Sequence, residues 1–463
     1  MSKIKLNKFR NVLEPYDYKN EGDDYENYYK EIFPYSEVPK VVFDHVQVPI
    51  NTPEKIWITD TTFRDGQQAS SPFTKLQIIK LYEYMHKLDN GSGVIRQTEF
   101  FLYNKKDREA AYECMEKGYD FPQVTSWIRA NANDFKLVKD MGIKETGILM
   151  SCSDYHIYKK LKLTRKEAMN KYLSIAESAV SNGIIPRCHL EDITRADFFG
   201  FVVPLVKALM KLSKDSGVPI KIRACDTLGV GVPYSGAAFP RSVQKIIHGL
   251  IFYGDVPSEC IEWHGHNDFY NAVTNSTTAW LYGASAINTT MLGIGERTGN
   301  CPLEAMIMEY MQVKGTQENM NIHVITEAKN YIEKEFNYDI PERMPFIGSN
   351  FNVTRAGIHA DGILKDEEIY NAFDTEKLLG RPILVSVNQY SGTAGIAAWI
   401  NTYYKLKGDD KIDKFDERIV PIKNWVDNEY RRGRNTVISN KELDDQAKKF
   451  VPEIIEKKAE KAS

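Results

Sequence analysis

His264 and His266 stand one residue apart in the run HGHND, His264 to Asp268. On a β-strand, alternation sends both rings to one face, where two imidazoles can share a metal ion. A carboxylate from another strand completes a facial set of two histidines and one acid, and Asp65 of RDG (Arg64 to Gly66) is the candidate. Three protein ligands leave coordination positions open for substrate, as in catalytic rather than structural sites. The donors fit a mid-row divalent ion, Mn²⁺ or Co²⁺ first, with Zn²⁺ and Mg²⁺ open. The bland alternative is a pair of hydrogen-bonded core histidines. GIGERTGN, Gly293 to Asn300, is a second candidate. A glycine-rich loop before a helix offers backbone N–H groups to a phosphate, or it is a tight turn that needs glycine for its geometry alone.

Elements must position these residues. Short β-branched or apolar runs alternate with helical periods from about Trp57 to Val313. The pattern predicts strands over Trp57–Phe63, Val94–Phe101, Gln123–Arg129, Thr146–Cys152, Ile185–Glu191, Ile220–Thr227, Ile261–Asp268 and Ala286–Ile294. Helices fall between them, with Gly118, Gly142, Gly183, Gly217 and Gly283 just past periodic runs as stop signals. Eight alternating units predict an α/β fold, a (β/α)8 TIM barrel with right-handed crossovers. A doubly wound open sheet is the alternative, but the usual glycine-rich first turn is missing after the first strand. The expected division is an N-terminal arm over 1–50, a barrel over 51–315 and a mainly helical C-terminal appendage over 316–463.

The polar residues follow the strands. Arg64 and Asp65 lie past the first, Arg96 and Glu99 on the second, and Arg129 ends the third. Arg187, His189 and Glu191 lie on the fifth, and Arg223, Asp226 and Thr227 on the sixth. The C-terminal ends of barrel strands are where active sites are built, so these charges are expected to converge at one mouth.

Composition restricts the rest. The chain has 463 residues, 42% hydrophobic and 27% charged, with a formal charge of −3 and a pI near 6.4. Those values exclude a disordered chain and carry no basic excess for nucleic acid. Cys114, Cys152, Cys188, Cys225, Cys260 and Cys301 are scattered without CxxC spacing, which fits reduced thiols. The N-terminus has no apolar signal core and no stretch is long enough to span a bilayer, so a cytoplasmic protein without membrane partners is expected.

The motifs resemble a family. DTTFRDGQQ (Asp60 to Gln68), HLEDITRAD (His189 to Asp197), CDTLGVGVP (Cys225 to Pro233), HGHND, GIGERTGNCPLE (Gly293 to Glu304) and AGIHADGILK (Ala356 to Lys365) resemble the DRE-TIM metallolyase superfamily. Within it they are similar to the Claisen-condensing branch of the 2-isopropylmalate and homocitrate synthases, nearest to its citrate-forming group. The resemblance implies that Asp65, His264 and His266 bind the divalent metal, with Asn300 near its shell. By the same resemblance Arg64 polarises the keto oxygen, Thr227 binds the substrate carboxylate, and Glu191 and His359 handle proton transfers. Two plainer roles stay open, a surface or capping histidine for His359 and a partner that orients a ligand or base for Glu191. Gly293, Gly295 and Glu296 would lie near the acyl-CoA. A homodimer with exchanged appendages is implied, with His359 coming from the neighbouring subunit. The family's usual RDGEQ reads RDGQQ here, so Gln67 replaces a carboxylate.

The substrates expected are acetyl-CoA and a 2-keto acid. A dicarboxylic keto acid needs an additional cation or donor, and Arg129 is the best candidate among Arg96, Arg129, Arg187 and Arg223. At least two of these arginines are expected to bridge carboxylates or face the helices. The segment after Gly315 looks too short for the further regulatory domain of leucine-regulated isopropylmalate synthases. Oxaloacetate is therefore favoured, with thioester hydrolysis giving citrate and CoA; homocitrate and isopropylmalate synthesis are the alternatives. A catalytically silent metal-binding scaffold is the remote one.

Overall fold

In the computed structural model eight parallel strands close into a barrel. They are β1 Trp57–Asp60, β2 Ile95–Phe101, β3 Gln123–Ile128, β4 Glu145–Ser151, β5 Ile185–Glu191, β6 Lys221–Asp226, β7 Ile261–Gly265 and β8 Ala286–Thr289. They pair in sequence, and β8 closes on β1. The structure describes residues 6–7, 12–13, 26–69, 72–406 and 408–453. Contacts divide the chain into two compact units, Met1–Asn321 and Ile322–Ser463. Helices α1 Lys75–Asp89, α2 Lys105–Glu116, α3 Phe135–Asp140, α4 Arg165–Ser181, α5 Val203–Ser216, α6 Val243–Phe252, α7 Ala272–Tyr282 and α8 Leu303–Lys314 follow the strands in turn. Thr74 and Thr164 close capping boxes with Gln77 and Glu167, which satisfies the first N–H groups of α1 and α4.

Three strands, β1, β7 and β8, end three or more residues before the pattern predicts, and the early ends of β1 and β8 shape the mouth. After β1 the chain winds into one π-helical turn, Thr62–Gly66. Asp60 accepts the Thr62 N–H at 2.9 Å, and the Thr61 carbonyl accepts the Asp65 N–H at 2.8 Å. After β8, Leu292 and Gly293 take left-handed backbone, φ 55° and 66°, and turn the chain into the glycine loop.

The barrel interior corrects the expectation that the strand charges gather at the mouth. Glu99, Arg187, His189, Arg223 and Glu262 are buried inside it. Arg187 donates to Glu99 at 2.6 Å and to Glu145 at 2.9 Å, while Arg223 donates to Glu99 at 3.1 Å and to Glu262 at 2.8 Å. Arg187 and Arg223 therefore fill the interior and bridge carboxylates. Arg96 faces the helical layer instead, stacked 3.9 Å over Trp57. Gly147 makes room for the network, since a Cβ there would lie 2.5 Å from His189 Nε2.

Of the predicted N-terminal arm, residues 1–5, 8–11 and 14–25 lie outside the described residues. The part from 26 to 45 runs along the barrel. Tyr29, Ile32, Phe33 and Val42 are buried with Val230 and Ala238 of the segment between β6 and α6, and Phe43 bridges Ala237. The second unit is mainly helical, with α9 Val324–Glu335, α10 Gly357–Lys365, α11 Thr375–Leu379, α12 Thr393–Tyr403, α13 Val420–Arg431 and α14 Asn440–Phe450. It has its own apolar core around Ile383, Val387, Ile396, Trp399 and Ile422.

Candidate active site

His264 lies on β7, His266 just past its end, and Asp65 in the π-turn after β1. Their ligand atoms lie within 4.8 Å of one another, and all three residues are buried. His264 Nε2 is 3.6 Å and His266 Nε2 3.7 Å from Asp65 Oδ2, and the two Nε2 atoms are 3.3 Å apart.

The tautomer of His264 is fixed from behind. Its Nδ1 faces Asn288 Oδ1 at 2.7 Å, and Asn288 Nδ2 donates to Thr59 Oγ1 at 2.9 Å. Thr59 in turn donates to Glu262. This chain leaves the Asn288 oxygen as acceptor, so His264 carries its proton on Nδ1 and presents the Nε2 lone pair to the Asp65 side. The register explains the contact, because Asn288 sits opposite His264 on β8 and both point inward.

Charge agrees with a cation site. Burial pushes the His264 imidazole down to about 3, against the pull of Asp65, so it is neutral and free to ligate. Burial lowers His266 as well. Burial would raise Asp65, but Arg64, the two imidazoles and the Asn300 amide together hold its carboxyl well below the usual range. Asn300 Nδ2 donates to Asp65 Oδ2 at 2.6 Å. Among the described residues, His266 Nδ1 and Asn300 Oδ1 are buried without a partner. Neutral nitrogen donors, an ionised carboxylate and a spare amide oxygen around one point fit a divalent ion.

Arg64 bridges this cluster to the barrel interior. Its Nε donates to Glu99 Oε1 at 2.9 Å and its Nη1 to Asp65 Oδ1 at 2.8 Å. The guanidinium carbon lies 5.6 Å from the centre of the Trp127 ring. These bonds fix the guanidinium as a cation beside the Asp65 carboxylate.

The remaining predicted residues lie as follows. Glu191 ends β5, on the strand beside β6, whose Cys225 pairs in register with both Glu191 and His264. Its Oε2 is 2.9 Å from His156 Nδ1, Lys160 Nζ donates to both of its oxygens at 3.1 Å, and Ser151 donates to it. Burial would raise Glu191, but the His156 contact, with Ser151 and Lys160, holds it at about 2. Thr227 Oγ1 accepts the Asp192 N–H at 2.8 Å.

The glycine loop is built by close approach. A Cβ on Gly295 would collide with Asn300 Oδ1, and Gly299 accommodates φ 94° against the Gly293 carbonyl. Asn300 N donates to that carbonyl at 3.0 Å, and Arg297 Nε donates to Asp268 Oδ1 at 2.7 Å. Glu296 is exposed.

Arg129 lies just past β3 with its side chain 63% exposed, 3.2 Å from Asp134 and 4.8 Å over the Tyr103 ring. His359 belongs to the second unit, exposed on α10 with its ring 4.4 Å from that of Tyr370. Gln67 is turned away from the ligands. It donates to the Phe63 carbonyl at 2.8 Å and accepts from Lys106 at 3.2 Å. Sequence reasoning missed Asn288, His156 and Lys160. Asn288 had a usable signal, a polar residue at the inward position of the strand AINT.

A buried two-histidine, one-carboxylate cluster at the mouth of a closed parallel barrel places the protein among metal-assisted barrel enzymes. The chain matches the HMGL-like family model over residues 55–332 and belongs to that family. It is 67% identical over 448 residues to the citrate (Re)-synthase of Clostridium kluyveri, covering 97% of this chain and 99% of that one. A citrate (Re)-synthase of Syntrophus aciditrophicus is 52% identical over 431 residues, covering 93% of this chain and 68% of its own. The 2-phosphinomethylmalate synthase of Streptomyces hygroscopicus is 35% identical over 423 residues, covering 90% and 94%.

Proposed function

We propose that the chain condenses acetyl-CoA with oxaloacetate and hydrolyses the thioester, giving citrate and CoA. The observation that carries this reading is the 67% identity, over nearly the full length of both chains, to the citrate (Re)-synthase of Clostridium kluyveri. A divalent ion held by Asp65, His264 and His266, with Asn300 beside it, would supply Lewis acidity toward the keto acid. Mn²⁺ or Co²⁺ is the ion we favour for these donors.

Each residue has a role in this reading. Arg64, pinned by Glu99 and Asp65, offsets the negative charge that grows on the keto oxygen as the carbon–carbon bond forms. Its pinned geometry means little reorganisation during the reaction. Thr227, whose hydroxyl accepts the Asp192 N–H and donates weakly to the Cys225 carbonyl at 3.5 Å, orients the keto-acid carboxylate by turning that proton to it. Glu191, engaged by Ser151, His156 and Lys160, serves by orienting and charge-balancing the groups around it. His359 of the neighbouring subunit then takes the methyl proton, as histidine is suited to near neutrality. Gly293, Gly295 and Glu296 border the acyl-CoA. Arg129 reaches the distal carboxylate of oxaloacetate by exchanging Asp134 for it.

The same reading assigns 1–50 to an arm, 51–315 to the catalytic barrel and 316–463 to an appendage exchanged within a homodimer. A cytoplasmic location is supported by six free cysteines, and no helix among the described residues is long and apolar enough to cross a membrane.

The test is thiol release from acetyl-CoA with oxaloacetate, 2-oxoglutarate or 2-oxoisovalerate, with added Mn²⁺ or with chelator. Release with oxaloacetate, abolished by chelator, is expected. Release only with 2-oxoisovalerate would reject the citrate reading, and chelator-resistant release would reject the metal.

A further inference from the structure

We propose that the N-terminal strap, residues 26–45, is a positioning element of the active site. Through Asp154 and Tyr155 it fixes the turn that presents His156 and Lys160 to Glu191. The inference rests on the citrate-forming reading in taking Glu191 to face the reacting centre.

The turn follows β4 and is wound as a single π-helical turn, Tyr155–Lys160. It carries two of the groups that contact the Glu191 carboxylate, His156 at 2.9 Å and Lys160 at 3.1 Å. A one-turn segment has few bonds of its own, so its placement depends on what holds its ends. Asp154 is one anchor. It takes two bonds from the buried Arg165, at 3.0 and 2.7 Å, and also accepts the Asn27 N–H of the strap at 2.5 Å.

Tyr155 is the other anchor. Its hydroxyl donates to the Tyr28 carbonyl at 3.0 Å, and the two rings lie 4.9 Å apart. Lys159 sits 4.3 Å from the Tyr28 ring, and Arg195 4.2 Å from the Tyr155 ring. Arg195 also donates to both oxygens of Asp192, the residue after Glu191. One aromatic pair with flanking cations thus joins the strap, the turn after β4 and the turn after β5.

The strap is itself fastened beyond this point. Tyr29, Ile32, Phe33 and Val42 are buried against Val230 and Ala238. Arg241 donates to the Pro39 carbonyl at 3.0 Å and the Lys40 carbonyl at 2.6 Å, and Lys245 pairs with Asp44. Val230 lies three residues beyond Thr227 in the chain. The strap therefore runs from the end of β4 to the segment after β6, touching the turn that carries His156 and Lys160 and the segment after Thr227, and reaching Asp192 through Tyr155 and Arg195. Burial of four large side chains is far more than a passive tail requires.

The experiment compares wild type with Tyr29→Ala, Tyr155→Ala and Tyr155→Phe. It measures kcat for citrate formation and hydrogen exchange across residues 152–162. Tyr29→Ala leaves every proposed active-site residue in place, yet it is expected to lower kcat about tenfold, as small misplacements near reacting groups do. It should also speed exchange across 152–162. Tyr155→Ala should behave alike, while Tyr155→Phe, which keeps the ring pair, regains most of kcat. Wild-type kcat in Tyr29→Ala, or faster exchange confined to 26–45, overturns the proposal. If Tyr29→Ala does not fold, the Tyr155 pair decides, and equal kcat in the Ala and Phe variants overturns it. Should wild type form no citrate, the functional reading fails, and the exchange comparison alone decides the strap.

Discussion

At the scale of single residues, a metal ligand is defined by the atom it leaves free as much as by its type. His264 is held by Asn288, Thr59 and Glu262 in the tautomer that exposes Nε2. Asn288→Ala removes the acceptor that enforces this state without touching a ligand. Metal affinity is expected to fall about 10- to 100-fold, as for other groups that orient ligands, measured by competition titration with Mn²⁺ or Co²⁺. Unchanged affinity would show that His264 needs no such support. Glu304 gives a pH prediction. Buried at the start of α8 and accepting the Leu292 N–H at 3.1 Å, it is pushed by burial up to about 7. Its folded value lies above the unfolded 4.5, so its favourable contribution is complete below pH 4.5 and is lost as pH rises through 7. Glu304→Gln should therefore gain stability relative to wild type between pH 5 and pH 8, by about 3 kcal/mol at most. Denaturant midpoints at the two pH values measure it, and a pH-independent difference would refute the shift. The histidine pair and Asp65 were legible in the sequence because alternation on a strand and the need for an anionic ligand are both local rules. The roles of His156 and Lys160 were not, because they depend on a turn placed by tertiary contacts.

At the scale of elements, the lesson comes from the arginines on β5 and β6. Alternation correctly turns Arg187, Arg223 and Glu99 inward, but it carries no depth along the barrel axis. Depth is set by the stagger between strands, which pairs Arg187 with Lys221 and Cys188 with Ile222. Inward charges far from the mouth become a packed ionic core rather than a substrate site. Such a core is unforgiving of volume. Gly147→Ala would bring a Cβ to 2.5 Å from His189 Nε2 and 2.8 Å from Glu99 Oε2, groups themselves held by Arg187 and Arg223. The expected loss is about 1–3 kcal/mol of stability, typical of overpacking, with a drop in kcat because Glu99 also holds Arg64. Chemical denaturation checks the first and steady-state kinetics the second. A stable, fully active variant would mean the network yields easily. The eight-strand count and the order of helices were legible because each strand run and each glycine stop is encoded within a few residues. The early ends of β1 and β8 were not, because they follow from the Asp60 and Thr61 bonds and from left-handed backbone at Leu292.

At the scale of the molecule, metal binding and subunit exchange make separable predictions. All three proposed ligands belong to the first unit, Met1–Asn321. An ion that binds only the folded barrel raises its stability by about 3 kcal/mol at a hundredfold excess over Kd. Removing it with chelator should lower the thermal midpoint of wild type and leave that of His264→Ala unmoved. Equal shifts in both would place the metal effect elsewhere. The proposed exchange of appendages has a sharper test. Arg64→Ala and His359→Ala are each expected to be inactive, one lacking a barrel residue and the other an appendage residue. If each site takes Arg64 from one chain and His359 from its partner, a mixed dimer holds one site with both defects and one with neither. Co-expression in equal amounts makes about half of the dimers mixed, so about a quarter of wild-type sites are restored. If both residues come from the same chain, every site in a mixed dimer lacks one of them and no activity returns. Recovered activity in co-expressed protein, absent from either variant alone, therefore separates exchange from a self-contained subunit without any assumption about rate constants.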